Sequence, residues 1–251
     1  MSLGPANLAL IEGARPVIEA LRAGRRRVHT VFVPEGDGSA AQRELEAVLA
    51  ERAVERRPAK RGEKLHALAD PFPEEEFEAV LTAPPPRFLV ALDRVTDVGN
   101  LGSIARSAET AGAAGLVLEH RHAPPIAAGA LRASAGALEH LRVGRTPNLA
   151  KALDLARAEG LAVLVADASG APLDQLPASL FAGELVWVFG SEDLGARKSV
   201  RDRATATVGI PLLGRTRSLG VAAAAAYFLV RTAEIRRRGA GANLAGRAET
   251  S

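Results

Sequence analysis

The chain has 251 residues, of which 47% are hydrophobic and 24% charged, a composition that excludes a disordered chain and supports one large or two smaller domains. Because it contains no cysteine, disulfides, thiolate nucleophiles and cysteine-based zinc sites are excluded. Residues 221–230, the longest apolar run of the last predicted helix, are too few to span a membrane, and residues 1–7 show no signal-peptide pattern. We therefore expect a cytoplasmic protein that is not bound to a membrane.

The formal net charge of +3 is unevenly distributed along the chain. Residues 1–64 hold 12 basic and 9 acidic side chains, residues 65–86 hold five acidic and no basic ones, and residues 87–238 hold 19 basic and 14 acidic ones. Two basic segments separated by an acidic one are typical of a protein that binds nucleic acid. An alanine- and arginine-rich composition explains the same surplus, so charge alone leaves both interpretations open.

Residues 1–70 are predicted to form a small α/β domain. The apolar pattern indicates, in chain order, a helix over 15–22, a strand over 28–33, a helix over 40–52 and a third helix over 60–69. The arginines at 25, 26 and 27 precede the strand, either as a solvated rim or as phosphate contacts.

Residues 71–86 are predicted to connect this domain to the next. They contain five prolines and the acidic run Glu74–Glu76. Because successive prolines resist both helix and sheet pairing, we expect an extended, semi-rigid linker around one short helix.

From residue 87 onward, strands and helices alternate. Strands are predicted over 88–92, 115–119, 141–143, 161–166, 185–189 and 204–210, and helices over 101–112, 125–138, 149–159 and 219–238. Such alternation indicates an α/β domain over 87–238, with a mostly parallel sheet covered on both faces. Residues 239–251 are expected to form a flexible tail.

Three polar loops follow strands of this sheet, where parallel α/β folds bind ligands. Two of them, residues 190–195 and 213–217, follow the last two strands. The third follows the first strand and contains Asn100, a plausible helix N-cap. Arg106 lies in the following helix, either as an ordinary surface charge or as an anion-binding residue.

Three segments resemble, in order, the three motifs of the SpoU/TrmH family of RNA ribose 2′-O-methyltransferases. The first comprises a hydrophobic strand, Asp, Asn-Leu-Gly, Arg-Ser-Ala, Ala-Gly and a second strand, within residues 89–119. The second covers residues 186–192 with Gly195. The third comprises Ile210, Pro211, Gly214, Ser218, Leu219, Val221 and the alanine-rich helix. The N-terminal segment is similar to the small ribosomal-protein-type RNA-binding domain that often precedes such catalytic domains.

The resemblance implies a C-terminal trefoil knot in the α/β sheet, whereas the strand pattern alone predicts an ordinary doubly wound sheet. It also implies S-adenosylmethionine as cofactor, RNA as substrate and a homodimer with the active site near the subunit interface. The two-domain layout favours ribosomal RNA over transfer RNA. Because a sulfonium methyl is already activated, no metal is expected.

The motif match also implies roles for individual residues. Gly190, Ile210 and Leu219 are expected to hold the cofactor, chiefly through main chain. The functional positions of the family fall on Asn100, Arg106, Glu192 and Ser218. Since guanidinium stays protonated, Arg106 is expected to grip RNA phosphate and polarise the 2′-hydroxyl rather than act as a base. Glu192 and Asn100 would orient Arg106 or the loops, although Glu192 could simply face solvent, and Ser218 could cap the last helix.

Four residues depart from the family pattern. Gly220 and Ala222 replace an asparagine and a serine, Asp193 replaces a glycine, and Ala196 replaces a larger apolar residue. Losing one polar contact to a reacting centre can slow catalysis by about 10²–10³. Two alternatives therefore stay open: an inactive relative that binds RNA or assists ribosome assembly, and a methyltransferase that modifies a base.

Overall fold

A computed structural model describes the backbone of residues 8–35, 39–192, 194–215 and 219–248, and side chains as far as Gly239. The chain forms two compact units. The first comprises residues up to Glu74 together with Asp97–Arg106 and Pro124–Arg142, and the second comprises the intervening segments and everything from Val143 onward. No helix within the described ranges is both long and apolar enough to cross a membrane.

The strands are, in chain order, β1 (Ala9–Glu12), β2 (Val28–Val33), β3 (Glu55–Pro58), β4 (His66–Ala69), β5 (Glu74–Glu76), β6 (Phe88–Asp93), β7 (Gly115–Glu119), β8 (Arg142–Thr146), β9 (Ala162–Pro172), β10 (Leu185–Gly190) and β11 (Ala206–Gly209). The α-helices are α1 (Ala14–Ala23), α2 (Ala40–Ala50), α3 (Phe77–Leu81), α4 (Val98–Thr110), α5 (Ala128–Ala133), α6 (Leu149–Ala158), α7 (Ala178–Ala182), α8 (Lys198–Arg201) and α9 (Val221–Ala248). Short 3-10 helices cover Ala137–His140 and Leu173–Gln175.

The first unit contains a four-stranded sheet in the order β1-β4-β2-β3. β4 pairs antiparallel with both β1 and β2, and β2 pairs parallel with β3. Helix α1 buries an apolar stripe that includes Val17, Ile18 and Leu21. It ends at Gly24, whose φ of 60° and bond to the Ala20 carbonyl close the last turn.

The second unit contains a seven-stranded sheet in the order β11-β9-β10-β6-β7-β8-β5. The four pairings β11–β9, β9–β10, β10–β6 and β6–β7 are all parallel. Every residue of β6, β7 and β10 is buried, as expected for central strands covered on both faces. The predicted α/β class, with a mostly parallel sheet and a smaller N-terminal sheet unit, is confirmed.

An aromatic cluster packs α9 against β10. The Trp187 ring lies 4.7 Å from the Phe228 ring and 5.7 Å from the Phe189 ring. Its indole N–H donates to the Thr232 hydroxyl at 3.0 Å, so the one polar atom of this buried ring is satisfied.

The predicted helix over 60–69 is wrong. Residues His66–Ala69 form β4, in which Ala67 and Ala69 are buried while His66 and Leu68 are partly exposed. This alternation fits a strand between β1 and β2, and the sheet pairing outweighs the helical preference of alanine and leucine.

The linker and the tail also contain more structure than was expected. Within residues 71–86, β5 joins the larger sheet, and α3 buries Phe77, Val80 and Leu81 in the core of the second unit. Helix α9 continues past residue 238 to Ala248. The glycines at 239, 241 and 246 each cost a helix only about 1 kcal/mol, and the alanine-rich helix continues through them.

Candidate functional site

A cavity of about 300 Å³ opens in the second unit, at the carboxyl ends of β10 and β11. The loops after these two strands both line it, as the sequence predicted. The structure thus brings Gly190, Glu192, Ile210 and Leu219 around one space. The described residues that line it are Ala166, Asp167, Ala168, Phe189, Gly190, Ser191, Glu192, Leu194, Gly195, Val208, Ile210, Leu212, Leu219, Gly220, Val221, Ala224 and Phe228.

Gly190 allows the first loop to fold back on its own strand. A Cβ atom at this position would lie 2.1 Å from the Ala196 nitrogen and the Gly195 carbonyl carbon, so any side chain would displace the loop. The turn is closed by a bond from the Gly195 N–H to the Ser191 carbonyl at 2.9 Å. Gly195 itself has a φ of 64°, which glycine adopts without strain. Asp193, one of the departures from the family pattern, lies outside the described residues.

A bulge in β9 forms another wall of the cavity. Thr207 of β11 pairs with Val165, but the next residue, Val208, pairs with Ala171, so residues 166–170 leave the ladder. A Cβ at Gly209 would lie 2.5 Å from the Gly170 carbonyl oxygen, which shows how closely the two backbones approach. The extruded residues place Asp167 in the cavity lining. Sequence reasoning missed Asp167, because the shift in register has no signal in the apolar pattern.

Asp167 is held as an anion. Its Oδ1 accepts bonds from the Ser169 N–H at 2.9 Å and from the Ser169 hydroxyl at 2.7 Å, and its Oδ2 lies 3.8 Å from an Arg201 nitrogen. Partial burial by itself raises the pKa of the carboxyl, but the Ser169 bonds and the Arg201 charge lower the pKa overall.

A buried ion-pair network fixes the end of the first loop. Arg197 donates from Nε to Asp93 at 2.7 Å and from Nη2 to Glu119 at 2.7 Å, and its backbone N–H donates to Asp93 at 2.7 Å. Asp93 is fully buried at the end of β6, and Glu119 at the end of β7 also accepts from the Leu149 N–H that begins α6. Burial alone would lower the pKa of Arg197, but its two carboxylate partners raise it. Sequence reasoning missed Arg197.

The last helix begins directly after a glycine in the left-handed conformation. Gly220 has a φ of 73°, its carbonyl accepts from the Ala224 N–H, and an ideal Cβ there would lie 3.7 Å from a Glu192 oxygen. Glycine and asparagine are the residues that tolerate this φ best, so the replacement of asparagine preserves the backbone while removing an amide. Ser218, the expected N-cap, lies outside the described residues.

Asn100 and Arg106 belong to the first unit, on α4. The expectation that Asn100 caps this helix is wrong: the helix begins at Val98, and Asp97 accepts from the Asn100 N–H at 2.7 Å. Arg106 is exposed, and within the described ranges its guanidinium has no hydrogen-bond or ion-pair partner.

The cavity combines apolar walls with negative charge. Its walls include Phe189, Val208 and Ile210, and the charged side chains among its described residues are Asp167 and Glu192. No arginine, lysine or histidine occurs among the described residues that line it. Nor does any group of three or more potential metal-ligating side chains occur in the described part of the chain. The chemistry suits a flat, partly apolar ligand that carries positive charge or hydrogen-bond donors.

Two family models match the chain. One, described as the SpoU rRNA Methylase family, matches residues 87–230. The other, described as RNA 2′-O ribose methyltransferase substrate binding, matches residues 10–69.

Individual relatives agree with these matches. An uncharacterized tRNA/rRNA methyltransferase of Archaeoglobus fulgidus is 35% identical over 68% of this chain and 75% of its own length. One from Mycobacterium avium is 34% identical over 90% of this chain and 77% of its own. Several other mycobacterial relatives are matched over only about half of their length, 48%.

Solved structures are similar over nearly the whole chain. The SpoU methyltransferase AviRb from Streptomyces viridochromogenes has a TM-score of 0.77 at 27% identity, covering 93% of this chain and 91% of that chain. Its complex with the cofactor AdoMet has a TM-score of 0.76 at 27% identity, covering 94% and 92%.

Replacing Arg197 by methionine should lower the free energy of unfolding by about 3 kcal/mol, because Asp93 would remain buried without its charged partner. The double variant Asp93→Asn/Arg197→Met should lose less, since Asp93 is then uncharged and only Glu119, which keeps its bond from the Leu149 N–H, loses a charged partner. Urea unfolding followed through Trp187, the single tryptophan of the chain, measures this.

Arg203→Met provides the matched control. Arg203 pairs with Asp154 at 2.9 Å on the surface of the same unit, so its loss should cost under about 1 kcal/mol. If Arg197→Met and Arg203→Met lowered the free energy of unfolding equally, the importance of the buried network would be contradicted.

Proposed function

Because the chain belongs to the SpoU rRNA Methylase family, we propose that it transfers a methyl group from S-adenosylmethionine to a ribose 2′-hydroxyl of RNA, with ribosomal RNA as the substrate. The membership agrees with the resemblance found in the three motifs. The observation that carries the proposal is the cavity formed by the loops after β10 and β11, whose lining includes all three expected cofactor residues and Glu192. The AdoMet complex of the similar protein AviRb supports the choice of cofactor. An enzyme of this kind would act in the cytoplasm.

The residues of the cavity fit this cofactor. Its volume of about 300 Å³ lies within the range of small-molecule sites, roughly 300–1,000 Å³. Its apolar walls suit a purine ring, and its carboxylates suit hydroxyl, ammonium and sulfonium groups. Because Gly190 has no Cβ, the loop after β10 can fold back on its strand and form one wall of the cavity. When bound, S-adenosylmethionine supplies a methyl group on a positively charged sulfur, which becomes an uncharged thioether once the methyl has left.

We assign cofactor binding to Gly190, Ile210 and Leu219, and RNA contact to Arg106. A guanidinium without a protein partner is available to bind a phosphate and to orient the ribose hydroxyl in line with the methyl group. Glu192, Asn100 and Ser218 remain proposed positioning residues. Over the whole reaction the 2′-oxygen gains the methyl group and its proton is released to water.

We assign RNA binding to residues 1–70, where a second cavity supports it. This concave region of the first unit is lined by Arg25, Arg26, Arg27 and Arg52 together with Asp70. Arg26 is buried and neutralised by Glu139. Arg27 and Arg52 are exposed and, within the described ranges, have no ion-pair partner.

Two exposed arginines elsewhere in the first unit are neutralised by carboxylates. Arg56 pairs with Glu46, and Arg57 pairs with Glu55, both at 2.8 Å. Arg27 and Arg52 thus leave positive charge available at the cavity, as expected for a phosphate-binding surface.

We further propose a homodimer and a trefoil knot in residues 87–238. Large apolar side chains are exposed on the second unit: Leu213 is 101% and Leu194 81% exposed, and Tyr227 and Val230 lie exposed on α9. A second copy of the chain would cover such a surface. The close backbone approach of Gly209 to Gly170 and of Gly190 to Gly195 supports the tight chain crossings that a knot requires.

Purified protein should transfer labelled methyl groups from S-adenosylmethionine to RNA, and Arg106→Ala should reduce the rate by at least about 10²-fold because a contact to the reacting nucleotide is lost. The matched control is Arg157→Ala, which removes an exposed arginine of α6 and should leave the rate unchanged. Alkali-resistant dinucleotides in the product would identify ribose methylation.

Three outcomes would contradict this account. Equal rates for Arg106→Ala and wild type would exclude the role of Arg106. Label in a base would exclude ribose chemistry. RNA binding without any transfer would favour an inactive relative that binds RNA.

The double variant Arg27→Ala/Arg52→Ala should bind RNA more weakly, and its affinity should depend less on salt. Loss of two phosphate contacts lowers the slope of log affinity against log salt by about 1.5. Arg56→Ala/Arg57→Ala removes the same charge from ion pairs and should change the slope little. Equal slopes for the two double variants would exclude the cavity as the phosphate site.

A further inference from the structure

The charged side chains in the described part of the cavity lining all have the same sign. Asp167 and Glu192 contribute two carboxylates, and no described lining residue contributes a cation. The remaining walls are largely apolar, which strengthens the effect of a fixed charge on whatever occupies the cavity. Such a cavity should distinguish ligands by their charge as well as by their shape.

Asp167 remains negatively charged in this setting. Its Oδ1 is occupied by Ser169, which leaves Oδ2 to act on a ligand. An Arg201 nitrogen lies 3.8 Å from Oδ2 and also donates to the Ala196 carbonyl at 2.7 Å. Because the Arg201 side chain is 42% exposed, water screens its charge. Arg201 therefore neutralises Asp167 only in part.

We propose that Asp167, together with Glu192, makes the cavity select the cationic methyl donor over its neutral product. This inference rests on the proposed function, from which the identity of the donor comes. S-adenosylmethionine carries a sulfonium charge that S-adenosylhomocysteine lacks, while the two share the adenosine and amino-acid groups. The carboxylates therefore favour the donor, and the product binds more weakly once the methyl group has been transferred.

Selection of this kind makes Asp167 a specificity-determining residue. Its position depends on the bulge in β9, which moves residues 166–170 out of the ladder and into the cavity wall. The same selection affects turnover. Because the positive charge disappears when the methyl group is transferred, the carboxylates attract the product less than the donor, and the product is released more readily.

The test is a calorimetric comparison of three ligands: S-adenosylmethionine, S-adenosylhomocysteine and sinefungin, in which a protonated amine replaces the methyl-sulfonium group. Wild type should bind both cationic ligands more tightly than the neutral one. Asp167→Asn keeps an acceptor for Ser169 but removes the charge. This variant should bind both cationic ligands about tenfold more weakly, the loss typical of one bond to a charged group. Its affinity for S-adenosylhomocysteine should change little.

Two further variants sharpen the result. Asp174→Asn removes an equal charge from an exposed residue after β9 that does not line the cavity, and it should change no affinity. Asp167→Glu restores the charge and should restore the preference for cationic ligands. If Asp167→Asn does not fold, Glu192→Gln should reduce the same preference.

The outcomes separate this inference from the proposed function. Wild type that binds none of the three ligands would overturn both. If wild type binds the ligands and Asp167→Asn lowers all three affinities equally, or none of them, only the inference would be overturned. Asp167 would then recognise a group that the three ligands share, or would only stabilise the bulge in β9.

Discussion

The contact of Arg197 with Asp93 and Glu119 is the constraint on which the candidate site depends. It joins the ends of two central strands to the end of the loop that forms one wall of the cavity. Asp93 is fully buried, so its charge requires this partner. Both the side chain and the backbone N–H of Arg197 bind Asp93, and together they fix the loop. The loop over residues 191–197 is therefore anchored at its far end, while Gly190 lets it turn at its near end.

Backbone proximity, more than side-chain contact, then shapes the cavity. Gly190 and Gly209 occupy positions where a Cβ would meet neighbouring backbone at 2.1 and 2.5 Å. The shift in pairing between β9 and β11 adds Asp167 to the lining. The result is a space with apolar walls and carboxylates. A neutral or anionic ligand would gain little from that charge, whereas a sulfonium compound gains from both features.

The sequence was informative where a short pattern determines the structure. The apolar runs over 28–33 and 115–119 predicted β2 and β7 with their observed bounds, and two strand-terminal loops were predicted to share a site that they do line. The sequence was uninformative where contacts between residues far apart in the chain determine the structure. His66–Ala69 becomes a strand only between β1 and β2, Asp167 reaches the cavity through a change of register, and Arg197 finds its partners on two other strands. The cap of α4 was assigned to Asn100 because Asp97 and Asn100 are both good caps and the helix boundary was misplaced by three residues.

The central claim is that the loops after β10 and β11 form the binding site for the methyl donor. Calorimetric titration of S-adenosylmethionine into wild type, Gly190→Ala and Gly239→Ala tests it most directly. A Cβ at Gly190 must displace the loop, whereas one at Gly239 meets nothing within 4 Å. The account predicts that wild type and Gly239→Ala bind alike, and that Gly190→Ala loses at least about tenfold in affinity, equal to 1.4 kcal/mol, while it remains folded by Trp187 fluorescence. Binding of the donor by folded Gly190→Ala as tightly as by wild type would contradict the account.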